Sequence, residues 1–224
     1  MDFKPMNRRK FLQVGGMTLG AALLGASGWT SACSMEMEPV DIDWIDTTYG
    51  ESKMSNGKIL VTYASAAGST VGVAEAIGKK LAESGNVVDV RPVKEVKDLA
   101  GYRAVVIGSA IHGGLWLPEA VKFVEDNKQA LKQLPTAFFL VCLMTLKNDT
   151  QSRAFVGDYL KDIRAVVSPV SEGRFTGAYL PEKYDFWTRI SMKFFVGYLK
   201  IKAGDYRDWD AVNAWAEKTQ PLLN

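Results

Sequence analysis

Short apolar runs alternate with amphipathic segments along the chain from residue 57 onward. Three runs are mainly apolar at consecutive positions, at residues 59–63, 104–109 and 137–143. Consecutive apolar positions are typical of strands that are buried on both faces of a sheet. Weaker strand patterns cover residues 86–91 and 168–179, so the sequence predicts five strands.

Amphipathic segments between these runs predict helices. In residues 71–84, Val73, Ile77 and Leu81 form an apolar stripe, whereas the charged residues face away from it. Gly85 follows at the usual position of a helix stop. A helix is therefore predicted directly after the first strand.

Three further helices are predicted downstream. One begins at Pro118, because the missing N–H of proline costs nothing in the first helical turn, and another covers residues 151–166. The last spans residues 208–222, with Asp208 as its N-cap. We expect its inward face to consist of Trp209, Val212, Trp215 and Ala216.

Strands that alternate with helices indicate a parallel sheet that helices cover on both faces. We therefore predict that residues 57–224 form an α/β, three-layer sandwich around a five-stranded parallel sheet of order 2-1-3-4-5. The chain of 224 residues is 47% hydrophobic and 23% charged, which is ordinary for a globular domain with one sizeable core.

Charge and metal-binding residue types exclude several classes of site. A net charge of +2 does not favour nucleic acid as a partner. One histidine and two cysteines are too few for a zinc or iron–sulfur site, so we expect no built-in metal and no disulfide framework. Cys142 is expected to be a core residue, because buried free cysteine behaves as a small hydrophobe.

The N-terminal segment predicts export. Residues 7–13, Asn-Arg-Arg-Lys-Phe-Leu-Gln, resemble a twin-arginine motif and precede an apolar, Gly- and Ala-rich stretch that ends near residue 28. That stretch is short and weakly apolar for a membrane-spanning helix. We expect residues 1–33 to be a signal peptide and the protein to be periplasmic or otherwise extracytoplasmic. The alternative is a disordered basic tail.

Two features follow the apolar stretch. Residues 30–33, Thr-Ser-Ala-Cys, resemble a lipoprotein cleavage box with Thr30 where leucine is usual, so lipidation of Cys33 and ordinary cleavage near Ala32 both stay open. Residues 34–56 show no sustained period and are predicted to be a linker between the cleavage site and the domain.

The loop between the first strand and its helix is suited to a phosphate group. It combines small residues and hydroxyls with the free N–H groups and positive dipole of a helix N-terminus. A Gly-Lys-Ser/Thr triphosphate motif and a Gly-x-Gly-x-x-Gly dinucleotide motif do not occur there. The candidate phosphate-binding residues are Ser65, Ala66, Ala67, Gly68, Ser69 and Thr70.

Two sets of residues carry a family resemblance. The pattern Ser65-x-x-Gly68-x-Thr70 resembles the flavodoxin phosphate loop, which holds the 5′-phosphate of FMN, although Ala67 stands where many members have a threonine hydroxyl. Residues 105–114, residues 134–139 and the C-terminal segment resemble bacterial menaquinone-dependent protoporphyrinogen oxidases and their flavodoxin-domain relatives. The resemblance covers residues 57–224 and implies a flavodoxin-like fold with FMN as the cofactor.

The same resemblance implies two loops beside the flavin ring, one after the third strand and one after the fourth. The first contains Ser109, Ala110, Ile111, His112, Gly113, Gly114 and Trp116, and the second contains Met144, Thr145, Leu146 and Asn148.

Two residues of the first loop have open roles. His112, the only histidine, is a candidate catalytic proton donor or a polar lid residue, although flavin chemistry does not require either role. Trp116 is expected to stack on the ring or to pack the loop onto the following helix.

Residues 180–206 form an insertion that is too apolar for an ordinary loop. Trp187, Ile190, Phe194, Tyr198 and Ile201 follow helical spacing, and lysine and arginine outnumber the acidic residues. A helix that adds to the core and a membrane-surface or quinone-facing segment over residues 184–202 are both consistent with this pattern. The resemblance favours the second interpretation.

These observations favour an exported FMN oxidoreductase that passes electrons at the membrane to or from quinone or a redox protein partner. The resemblance suggests protoporphyrinogen as the substrate, yet an enzyme of haem synthesis is expected in the cytoplasm. An alternative is a one-electron carrier without its own substrate, although such carriers are strongly acidic and this chain is not. A third is a module that has lost its flavin.

Overall fold

The computed structural model describes residues 42–51, 57–147, 149–184, 189–190, 192–193, 196–197 and 200–224. The predicted signal peptide, Cys33, Asn148 and most of the apolar positions of the insertion lie outside these residues. The chain forms two compact units, and the sheet belongs to the unit that combines residues 40–183 and 202–224. In the described part of the other unit, the Arg189 guanidinium donates to the Tyr184 carbonyl at 3.2 Å.

Nine strands and six α-helices have described bounds, and residues 189–190, 192–193 and 196–197 are also helical. The strands are β1 (Thr47–Tyr49), β2 (Lys58–Ala64), β3 (Val88–Pro92), β4 (Tyr102–His112), β5 (Leu115–Trp116), β6 (Thr136–Val141), β7 (Ser171–Phe175), β8 (Ala178–Tyr179) and β9 (Gly204–Asp205). The helices are α1 (Ser69–Glu83), α2 (Pro118–Asp126), α3 (Lys128–Leu131), α4 (Thr150–Asp158), α5 (Lys161–Val166) and α6 (Trp209–Thr219).

The parallel part of the sheet confirms the predicted fold class. Strands β3, β2, β4, β6 and β7 lie side by side and all run parallel, which is the order 2-1-3-4-5 counted along the chain. The predicted total of five strands is wrong, because the sheet has seven. Strand β1 adds to the edge of β3, and the short β5 folds back on β4, both antiparallel.

Strand β1 comes from the segment that the sequence places in a linker. Its three residues pair with Val88–Val90 of β3, and the Thr48 hydroxyl donates to the Asp89 carboxylate at 2.7 Å. A strand of three residues is too short to show a hydrophobic period, so β1 could not be predicted from its own sequence. It forms by pairing with residues far along the chain.

Alternate residues of each central strand enter two separate cores, which is why apolar residues occur at consecutive positions. In β2, Ile59 and Val61 face the core beneath α1 and α6, whereas Leu60 faces the core beneath α2 and α5. All three side chains are fully buried. The sheet is therefore the middle layer of three, as predicted.

Helix α1 buries the predicted stripe of Val73, Ile77 and Leu81. Gly85 follows its C-cap with a φ of 85°, a conformation that only glycine adopts without strain. Other predicted elements are divided in the structure: residues 151–166 form α4 and α5, and residues 168–179 contain β7 and β8.

Helix α6 begins as predicted, and its inward face contains Val212, Trp215 and Ala216 but not Trp209. The Asp208 carboxylate accepts the Ala211 N–H at 2.9 Å, and Val212 and Ala216 are fully buried. The inward position expected for Trp209 is wrong, because this side chain is 41% exposed and the Arg207 guanidinium covers its ring. A cation–π contact with this guanidinium therefore stabilises the Trp209 ring, which is not buried in the core.

Cys142 packs against the core beneath α2 and α5, and burial raises the pKa of its thiol to about 11. Within the described ranges, no helix is both long and apolar enough to cross a membrane.

Candidate functional site

Strands β2, β4 and β6 end at the same edge of the sheet, because all three are parallel. Residues 65–70 follow β2, the β4–β5 hairpin follows β4, and a 3₁₀ turn at Leu143–Leu146 follows β6. In doubly wound sheets, ligands bind at the carboxyl ends of the strands. The described candidate residues therefore share one edge of the molecule.

The loop after β2 is held in a defined shape by its own atoms. Gly68 has a φ of 86°, and its N–H donates to the Ser65 hydroxyl oxygen at 3.0 Å. The Val71 N–H donates to the Gly68 carbonyl at 3.1 Å and closes the first turn of α1. Gly68 is thus required here for its backbone conformation.

The N-terminus of α1 is free to receive an anion. Its first turn, Ser-Thr-Val-Gly, contains no carboxylate, and its N-cap residue, Gly68, makes no side-chain hydrogen bond to it. The unpaired N–H groups and the helix dipole together favour negative charge at this position. The geometry agrees with the phosphate-binding character that the sequence predicts.

Thr70, at the second position of α1, gives a more specific signal. The residue is fully buried, and its Oγ1 has no hydrogen-bond partner among the described residues. An unpaired buried hydroxyl costs about 1–3 kcal/mol, so such groups are normally satisfied in the functional state. A phosphate oxygen would be a suitable acceptor for this hydroxyl.

Residues 109–116 form a hairpin where the resemblance implied a loop. Ser109 to His112 belong to β4, Leu115 and Trp116 form β5, and the turn consists of Gly113 and Gly114 with φ values of 60° and 84°. His112 lies opposite Leu115, and both side chains are exposed. The turn leaves open space around Gly113, since a Cβ there would meet no atom within 4 Å.

Ser109 uses its hydroxyl inside the protein. The oxygen accepts the Leu117 N–H at 2.9 Å, and the hydroxyl donates to the Ala110 carbonyl at 2.8 Å. These two bonds tie the end of β4 to the start of α2. The next two residues, Ala110 and Ile111, are partly buried against the core beneath α2 and α5.

Trp116, in β5 of the hairpin, is only 4% exposed. Its ring meets Phe138 of β6 edge-on, with the centroids 5.4 Å apart, and its indole N–H has no partner within the described part of the chain. The ring therefore packs the hairpin onto the core. Stacking of Trp116 on a flavin stays a prediction.

The turn after β6 is joined to the segment after β7. The Thr145 hydroxyl donates to the Cys142 carbonyl at 2.7 Å, and its oxygen lies 2.7 Å from the Thr176 hydroxyl. Met144 is half-buried and Leu146 is 39% exposed. The two loops at this edge therefore support each other.

Three residues beside the loop after β2 and the start of α1 were not predicted from the sequence, and they are Gly177, Arg207 and Ile42. A Cβ at Gly177 would lie 3.0 Å from the Ser69 hydroxyl oxygen, and one at Gly72 would lie 2.5 Å from Nη1 of Arg207. A Cβ at Gly68 would lie 3.9 Å from Ile42. These contacts join segments that are distant along the chain, so the pattern around the loop gives no signal for them.

The segment that contains Ile42 is fixed on the end of β2. Tyr63 accepts the Ile45 N–H and donates to the Ile45 carbonyl, each at 2.9 Å, and Trp44 stacks on its ring. Burial raises the pKa of Tyr63 to about 12, so its hydroxyl keeps its proton at neutral pH.

Metal-binding clusters are absent from the described part of the chain. Among the described residues, no group of three or more His, Cys, Asp and Glu side chains is placed to hold a metal ion.

Comparison with known proteins relates this arrangement to a family. The family model described as Flavodoxin domain matches residues 60–205. A Leishmania major protein named protoporphyrinogen IX dehydrogenase (quinone) is 28% identical over 71% of this chain and 73% of its own length. An Escherichia coli K12 protein of the same name is 24% identical over 75% of this chain and 97% of its own length.

A solved structure is also similar. The rubredoxin oxygen:oxidoreductase of the anaerobe Desulfovibrio gigas is 15% identical and aligns with 74% of this chain at a TM-score of 0.45. This chain spans 36% of the length of that protein.

Proposed function

The chain belongs to the flavodoxin domain family, and on that premise we propose that it is an FMN-dependent oxidoreductase linked to quinone. One observation carries the flavin part of the proposal, the buried Thr70 hydroxyl without a partner among the described residues. This hydroxyl stands at an uncapped helix N-terminus that has no carboxylate in its first turn. Together these features match a phosphate ester.

The residues present fit the phosphate end of FMN. Backbone N–H groups at the start of α1 and the hydroxyls of Ser65, Ser69 and Thr70 would hold the phosphate oxygens. Ser65 already orders the loop by accepting the Gly68 N–H, and its own hydrogen stays available for donation. FMN, when bound, supplies the ring that carries the electrons.

The ring would be flanked by the β4–β5 hairpin and the turn at Leu143–Leu146. Thr145 and Thr176 hold that turn, and Ser109 holds the base of the hairpin, so both walls are supported by hydrogen bonds. His112, beside the turn of the hairpin, would handle a proton or serve as a polar lid residue, and the sequence leaves both roles open. The turn at Gly113 and Gly114 would let a second reactant approach.

The quinone part of the proposal is supported by the two relatives whose printed names contain quinone. Their names also suggest a porphyrinogen as the reductant. The export pattern of residues 1–33 supports work outside the cytoplasm, where a porphyrinogen is not the expected substrate. Another reduced compound therefore fits this chain equally well.

The test is to purify the chain after expression in its host and to record its visible spectrum. We expect a bound flavin that acid releases as FMN, and oxidation of a reduced donor that depends on added menaquinone. Absence of bound flavin together with no affinity of the apoprotein for FMN or riboflavin would refute the proposal. Stoichiometric electron transfer without quinone turnover would instead identify a carrier.

A further inference from the structure

Arg207 lies against the first turn of α1. Gly72 is the fourth residue of this helix, and Nη1 of Arg207 lies 2.5 Å from the position that a Cβ at Gly72 would occupy. Because the Cα–Cβ bond of a helical residue tilts toward the N-terminus, this position lies toward Gly68 and Ser69. The absence of a side chain at Gly72 is what admits the guanidinium.

The guanidinium is held in one orientation. Its Nε donates to Asp205 Oδ1 at 2.9 Å and its Nη2 donates to Asp205 Oδ2 at 2.5 Å. Its Cζ lies 4.6 Å from the centre of the Trp209 ring. Asp205 therefore occupies one edge of the planar group and turns the other edge, at Nη1, toward α1.

Asp205 offsets the charge of Arg207, so the guanidinium offers an anion mainly the N–H groups of Nη1, beside the positive end of the α1 dipole. The second sign of such an anion is the buried, unpartnered hydroxyl of Thr70. The loop also has alanine at positions 66 and 67, and neither side chain can donate a hydrogen bond to an anion.

We propose that Arg207 is a positioning residue for the phosphate group of the flavin, and that it makes the site prefer FMN over riboflavin. The inference rests on the proposed function and adds to it a source of ligand selectivity. Arg207 follows the insertion, outside residues 64–70, and lies beside Gly72 because α6 packs against α1.

The test measures dissociation constants of FMN and riboflavin for the apoprotein by flavin fluorescence, at low and at high salt. In Arg207→Gln we expect FMN binding to weaken about 10-fold or more and riboflavin binding to change less than about 2-fold. The preference for FMN in the wild type should also decrease at high salt. Arg207→Lys should keep part of the preference, because it keeps the charge.

Two further variants complete the test. Gly72→Ala places a Cβ where Nη1 now lies and should displace the guanidinium, so we expect the same selective loss of FMN. Alanine is a better helix former than glycine, so this variant remains informative if Arg207→Gln does not fold. Lys128→Gln removes one charge from an exposed position on α3 and should change neither constant.

Equal loss of both flavins in Arg207→Gln and Gly72→Ala would show a structural role and overturn the proposal. Unchanged FMN affinity in both variants would overturn it as well. In either case a wild type that binds FMN leaves the proposed function intact. A wild type that binds neither flavin would overturn both.

Discussion

Thr70 carries a hydroxyl group in a place where the described part of the chain offers it no hydrogen bond. A buried threonine in a helix usually donates to a backbone carbonyl of the preceding turn, but at the second position of α1 that turn is the loop itself. A ligand in the loop would give this hydroxyl an acceptor. This is the residue-scale reason to expect a ligand there.

Thr70→Val should affect stability and binding in opposite directions. Valine keeps the shape and removes the unpaired hydroxyl, so the apoprotein should be as stable as the wild type or more stable by about 1 kcal/mol. Loss of a charge-assisted hydrogen bond should weaken FMN binding about 10-fold. Thermal unfolding of the apoprotein and flavin titration measure the two effects.

The matched control is Thr136→Val, because Thr136 is also buried but its hydroxyl donates to the Leu131 and Leu134 carbonyls. This variant should lose stability and keep its FMN affinity. If Thr70→Val lost stability and bound FMN normally, its hydroxyl would have an internal partner and not a ligand.

Among the elements, β1 shows how a short strand can be fixed by a single buried side chain. Asp89 on β3 accepts the Thr48 hydroxyl of β1 at 2.7 Å and the Tyr102 hydroxyl of β4 at 2.8 Å, and Lys58 of β2 lies 3.4 Å away. Burial raises the pKa of this carboxyl, but the hydrogen bonds and the lysine outweigh burial, and the net pKa is lowered. The ionised form therefore stabilises the fold.

The sign of the pH effect follows from that direction. A carboxyl group whose pKa is lower in the folded state than in the unfolded state contributes stability above its unfolded pKa, and this contribution disappears as pH falls through the folded pKa. The stabilising contribution of ionised Asp89 should therefore decrease, and the protein should become less stable, as pH falls below about 4.

Asp89→Asn should remove that contribution. We expect the free energy of unfolding at pH 7 to fall by about 1–3 kcal/mol and its dependence on acid pH to become flatter. Asp46→Asn is the control, because the Asp46 side chain is 46% exposed and its ion pair with Arg91 is solvent-accessible. Urea unfolding between pH 3 and pH 7 compares the two variants. Identical pH profiles for wild type and Asp89→Asn would contradict this role.

For the whole molecule, association with a membrane stays a prediction from the sequence. The sequence offers two candidates, a lipid on Cys33 and the basic, aromatic insertion over residues 184–202. Both are proposals, since Cys33 and most of the insertion lie outside the described residues. Lys193 and Lys200 are described and exposed, as a membrane-surface segment requires.

Fractionation of cells can separate the two anchors. Cys33→Ala should move the exported protein from the membrane to the soluble fraction if the lipid is the anchor. The double variant Lys193→Glu and Lys200→Glu should do so if the insertion binds anionic lipid, since each lysine contributes about 1 kcal/mol near such a surface. Membrane retention in all of these variants, including their combination, would contradict both anchors.

Much of the fold follows from local patterns. Runs of consecutive apolar residues predicted the parallel strands, and the α1 stripe and the Asp208 cap were found where the sequence placed them. Hydrophobic periods of 3.6 and 2 residues report only on the element in which they occur. For that reason they predicted five strands, missed β1, β5 and β9, and placed Trp209 on the inward face of α6.

The candidate site divides in the same way. The sequence alone determined the small, hydroxyl-bearing loop after the first strand, because six adjacent residues, 65–70, supply its small side chains and its hydroxyl groups. Only the tertiary structure decided that the Thr70 hydroxyl is buried without a partner among the described residues. It also decided that the Ser109 hydroxyl oxygen accepts the Leu117 N–H, and that the Arg207 guanidinium lies beside Gly72. Burial and long-range contact depend on how distant segments pack, and no local pattern encodes them.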